Sequence, residues 1–250
     1  GQRQMCIRDS WIHRRTRGYS YGSSVIDPRT GEIIKGNVSL GSLRLRQDYL
    51  HGQGVIPPFT QDQATYYEPC GLSDAPSFEY LAQVSDKSDA VEMALARVRQ
   101  LSAHEVGHTL GFPHNYMASS YGRESVMDYP APLVEIRDDD TIDLSNAYLR
   151  RIGTYDELAI KWLYQDFPEG TDETKALQAI AEDGIEKGLI YMGHTNNNFV
   201  GASHQYASVW DNGANLVDHL KHEIEVRRIG LSRFEDLIAM IALYLSLIHI

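Results

Sequence analysis

Along the chain the spacing of apolar and polar positions changes period several times, and each change predicts an element. Ser24-Val25-Ile26 leads into Asp27-Pro28-Arg29-Thr30-Gly31, after which Ile34, Val38 and Leu40 fall on one face of an extended segment. Side chains alternate along a strand, while Pro and Gly supply the fixed and left-handed backbone positions of a turn, so 23–40 reads as two strands around a turn. Residues 41–50 fit a helix or a strand. Residues 51–80 hold four prolines and several glycines, which predicts a loop with at most short elements.

The clearest helix is Asp86 to Leu110. Asp89 and Glu92 stand at capping-box spacing, and Val91, Leu95, Val98 and Leu101 recur at three- and four-residue intervals. Gly111 and Pro113 end it. Residues 115–144 are irregular, and their acidic run Asp138-Asp139-Asp140 reads as a solvated loop, with a calcium site as the alternative. Thr154 to Glu157 cap an amphipathic helix that runs to about Gln165, and helical periodicity returns over 172–187 and 213–244. The pattern predicts an α+β fold with a strand-containing region over 11–150, followed by a mainly helical region over 151–244 packed against it.

Charge and cysteine content narrow the function classes. A net charge of −11 argues against a nucleic-acid binder. No stretch approaches the roughly eighteen consecutive apolar residues that a transmembrane helix needs. Two cysteines make no disulfide framework, and Cys70 reads as a small loop residue. The ends have a separate explanation. A sequence of seventeen bases that, with one further base, encodes Met5 to Ser10 has a reverse complement that, completed likewise, encodes Leu245 to Ile250. The pair resembles the translated end of a transposon used to build sequencing libraries, so 1–10 and 245–250 are expected to be adapter-derived.

The chemistry is concentrated in His104-Glu105-Val106-Gly107-His108-Thr109-Leu110-Gly111-Phe112-Pro113-His114. Residues four apart share a helix face, so His104 and His108 can meet one ion, and the turn at Gly111 lets His114 return as a third ligand. Three neutral nitrogen donors leave a fourth position open, which is the arrangement of a catalytic zinc. Glu105 lies about 100° further round the helix, beside such a site rather than in it. Gly107 costs helix propensity by about 1 kcal/mol, and relief of crowding near the site would explain it.

The string HEVGHTLGFPH has the HExxHxxGxxH form and resembles the metzincin zinc peptidases. In that clan a methionine lies in a tight turn beneath the metal, and Ser125-Val126-Met127-Asp128-Tyr129-Pro130 fits such a turn, with Met127 as the methionine. The stretches GEIIKGNVSLGSLRLRQDYL, SVMDYPAPLVEI and YDELAIKWLYQDFP look like those of large bacterial zinc-dependent metalloproteases. The resemblance implies one catalytic Zn2+, a peptide or protein substrate and an extracellular or envelope location. It also implies that Tyr129, two residues after Met127, reaches the zinc or the oxyanion, although a packing tyrosine fits the position equally well. The strand near Ile33–Leu40, with Ile34, Gly36 and Val38 on one face, resembles the edge strand along which metzincins align substrate. An edge strand with no ligand is the alternative.

Glu105 would serve as the general base of an endopeptidase. A second reading is a zinc-stabilised peptide-binding or scaffolding module without turnover. His219 and His222 read as a surface pair, and Trp210-Asp211-Asn212-Gly213 as a helix-entry turn.

Overall fold

In a computed structural model the residues described are 6–13, 19–55, 89–193 and 204–229. The segment 56–88, with Cys70, lies outside them, as does the chain beyond 229.

The hairpin forms as the alternation predicts. Strand β2 (Tyr21–Ile26) runs antiparallel to β3 (Ile33–Gly41), with Tyr21 opposite Ser39 and Ser24 opposite Gly36. Asp27 shapes the turn by accepting the Arg29 backbone N–H at 2.9 Å, and Gly31 takes the left-handed position at φ 74°. Strand β1 (Cys6–Ile12) pairs parallel with the other side of β3, giving the order β1-β3-β2. In this chain the side of β3 expected to be open at Ile34, Gly36 and Val38 is covered by β1. Their strand is central and hydrogen-bonded on both sides, whereas β2 is paired only with β3 among the described residues. Alternation identifies a strand but does not say what flanks it. Much of β1 falls in the segment read as adapter-derived, and no group of the metal site comes from it.

Residues 42–55, equivocal in sequence, form helix α1 (Ser42–Val55), so the predicted loop starts later than residue 51. Helix α2 (Asp89–Thr109) carries the motif. One side of its C-terminal half lies under the hairpin. Gly36 comes against Thr109, and Gly22 crosses so close to Glu105 that a Cβ there would run into the Glu105 carbonyl. The middle of α2 packs Met93 and Ala96 against Val134, Ile142, Leu144 and Tyr148.

The acidic run forms the tip of a small hairpin between β4 (Glu135–Ile136) and β5 (Ile142–Asp143). There Asp139 accepts the Thr141 backbone N–H at 3.0 Å, as a solvated turn would. Helices α3 (Thr154–Tyr164) and α4 (Glu173–Glu186) follow, then α5 over 216–229. The cap of α3 sits one residue earlier than the sequence suggests, at Gly153, whose N–H donates to Asp156 Oδ2 at 2.8 Å. Val226 and Ile229 of α5 enter the same cluster as Met93. His222 is not a plain surface residue, because its Nε2 lies 2.6 Å from the Val134 carbonyl.

Candidate metal centre

His104 and His108 project from the last two turns of α2. The helix stops at Thr109, and Gly111, at φ 91°, turns the chain so that His114 comes back toward them. His108 Nε2 then lies 3.1 Å from His104 Nε2 and 3.1 Å from His114 Nε2. Three nitrogens about 2.0–2.1 Å from a tetrahedral zinc would stand about 3.3–3.4 Å apart, so the donor set fits that ion closely. Among the described residues these three are the one cluster of His, Cys, Asp or Glu able to hold a metal.

The remaining ring nitrogens fix the orientation. A carbonyl can only accept, so His104 Nδ1 donates to the Val126 carbonyl at 2.7 Å, and His108 Nδ1 donates to the Phe112 carbonyl at 2.8 Å. Each ring therefore carries its proton on Nδ1 and keeps a lone pair on Nε2 for the ion. Burial lowers the His104 pKa to about 3, with repulsion from His108 adding to it, and burial likewise lowers that of His108. Both rings are kept neutral, as ligation requires.

Met127 lies beneath. It is buried with Phe112 and Val126, its carbonyl accepts the Asn115 N–H at 3.0 Å, and its sulfur fills the space where a side chain at Gly107 would stand. The crowding expected at Gly107 is therefore present. The turn is stapled from behind by Asp156 of α3. Its carboxylate accepts Ser125 Oγ at 2.6 Å and the Val126 N–H at 2.8 Å. Gln100 Nε2 shares the Val126 carbonyl with His104 at 3.0 Å.

Glu105 is 4% exposed. Burial raises its pKa to about 7, opposed by a hydrogen bond from the Gly22 backbone N–H and by the positive charge of Arg97. Its carboxylate is outside the converging donor set. The ring of Tyr129 stacks on His104 with centroids 5.4 Å apart and lies 4.5 Å from that of His114.

A family model described as Met-zincin matches residues 86–240, well over half of the chain. The chain belongs to the Met-zincin family. It is thus a member of a metalloprotease family that uses zinc, and the three histidines are placed to hold one such ion. No curated protein and no solved structure matches the chain. Among the described residues of this Met-zincin no helix is long and apolar enough to cross a membrane.

Three neighbours of the Met-zincin site were not found from sequence. Trp210, read as part of a helix-entry turn, stacks on Tyr129 at 5.4 Å and 17°, and its backbone N–H donates to the Tyr129 carbonyl at 2.7 Å. The Arg44 guanidinium lies 5.0 Å from the centre of the Trp210 ring. Tyr116 approaches His114. Trp210 and Arg44 are remote from the motif in the chain, and no local pattern marks them. Tyr116 stands two residues beyond the third histidine, and that proximity was its only available signal.

Proposed function

We propose that this Met-zincin is a zinc-dependent endopeptidase in which Glu105 is the general base. The observation that supports this best is a division of labour on one helix. His104 and His108 converge with His114 on a single point, while Glu105, between them in sequence, stays outside that set as a buried carboxylate.

When bound, zinc polarises a carbonyl and lowers the pKa of a coordinated water toward about 7. Glu105 would accept the proton of the attacking water on a carboxylate oxygen and return it to the leaving amide nitrogen. Burial raises its pKa above that of an ordinary glutamate, which makes it the stronger base. Tyr129, stacked beside the ligands, would donate a hydrogen bond from its hydroxyl to the oxygen on which negative charge develops. A packing role against Trp210 and His104 remains the competing reading of that ring. An extended peptide would pair with the side of β2 that is unpaired among the described residues, where the strand crosses α2 at Glu105. An extracellular or bacterial-envelope location, implied by the family likeness, belongs to the same proposal.

Glu105→Gln should bind zinc as the parent does and hydrolyse a casein-type substrate about 100-fold more slowly or worse, the low end of a general base's contribution. Undiminished cleavage would overturn the mechanism. Stoichiometric zinc without turnover by the unaltered chain on a broad peptide library would favour the binding module instead.

A further inference from the structure

The three histidines are not held alike. His104 and His108 sit on a helix, where the preceding turn restricts their rotamers, and each donates to a backbone carbonyl. His114 lies on irregular chain beyond Gly111, and at its Nδ1 stands a side-chain group, the Tyr116 hydroxyl at 3.2 Å. The two rings stack with centroids 5.4 Å apart and planes 18° from parallel.

We propose that Tyr116 is the positioning residue for the third zinc ligand, holding the His114 ring in the orientation and tautomer that point Nε2 at the ion. This rests on the reading of His114 as a ligand. Coordination through Nε2 leaves the proton on Nδ1, which must then donate, and the phenol oxygen is the acceptor placed to receive it. The phenol can do this only if it is itself fixed, and it is. Tyr116 is 2% exposed and packs with Met117 and Ala207, with Tyr121, Tyr129 and Met192 around them. Its backbone N–H donates to the Met192 carbonyl at 2.9 Å.

Asn115, fully buried between His114 and Tyr116, locks the same segment. Its Oδ1 accepts the Met192 N–H at 3.1 Å, and its Nδ2 donates to the Ile190 carbonyl at 3.2 Å and to Tyr121 Oη at 2.9 Å. Chain more than seventy residues downstream of the motif therefore clamps the phenol that clamps the ligand. Stacking and hydroxyl contact together supply for His114 the constraint that the helix supplies for the other two.

The test is Tyr116→Phe in the full chain, which removes one oxygen and keeps the ring. Zinc affinity, measured by competition with a chromogenic chelator, should fall about tenfold or more, the range seen when such outer partners of metal ligands are lost. The spectrum of the Co2+-substituted protein should shift, and saturating zinc should recover turnover, since the ion's retention is what has changed. Unaltered zinc affinity and an unaltered Co2+ spectrum would overturn the proposal. His114→Ala separates the two levels. If it keeps zinc at parental affinity, the reading of His114 as a ligand fails and this inference with it. If it loses zinc while Tyr116→Phe does not, this inference fails alone. Should Tyr116→Phe not fold, the zinc-loaded parent decides by NMR. A slowly exchanging Nδ1–H on His114 supports the proposal, and one exchanging as freely as a solvent-exposed imidazole overturns it.

Discussion

At Gly107 two opposing effects meet on one residue. Alanine would gain about 1 kcal/mol of helix propensity there. Its methyl group, however, would occupy the space of the Met127 sulfur, and Met127 is 3% exposed with Phe112 and Val126 around it. Overpacking a filled core costs about 1–3 kcal/mol, so strain outweighs propensity and Gly107→Ala should lower stability by up to about 2 kcal/mol in a urea or thermal melt of the metal-free chain. Unchanged or raised stability would show that the Met127 side chain can move aside. Residues 104–114 were legible at this scale because the chemistry needs particular side chains at fixed helical spacing. Tyr116 and Trp210 were not, since stacking on a ligand or on its neighbour Tyr129 leaves no local pattern.

Between elements, the turn at Met127 depends on α3. Asp156 holds it from beneath, and Glu124, just before the turn, ties down the start of α3. Glu124 accepts two hydrogen bonds from Arg151, at 2.7 and 3.0 Å, and accepts the Thr154 N–H and hydroxyl at 2.9 Å each. Chiefly because of Arg151, and then the Thr154 contacts, its pKa is lowered from 4.5 to about 2. Folding therefore favours the ionised form. The stability this gives is complete above about pH 4.5 and is lost as pH falls toward 2. In metal-free protein, the melting temperature of Glu124→Gln should approach that of the parent as pH drops through this window, and the gap should narrow in high salt because Arg151 is more than half exposed. A gap independent of pH would contradict the assignment. The helix over 154–164 was predictable from its periodicity. Its grip on Val126 was not, because capping rules describe contacts within a few residues and this one spans thirty.

On the scale of the whole molecule, helix periodicity and the hairpin were legible, and so was the α+β character. The order of strands was not, because alternation along β3 is the same whether it lies at an edge or in the centre. The zinc site joins these parts. Two ligands come from α2, the third from the loop beyond it, and their partners from the Met127 turn, Phe112 and Tyr116. An ion that binds only this arrangement stabilises it in proportion to the logarithm of its free concentration over its Kd. Zinc should raise the melting temperature of metal-stripped protein, with a shift that grows as zinc is added and disappears in His104→Ala. A shift that survives this substitution would place the ion elsewhere.

Whether three imidazoles meet one zinc is read most directly by X-ray absorption at the zinc edge of the protein loaded with one equivalent of the ion. The account predicts three imidazole nitrogens at about 2.0–2.1 Å and one oxygen donor completing four. Fewer than three imidazoles, or a sulfur at about 2.3 Å, would contradict it.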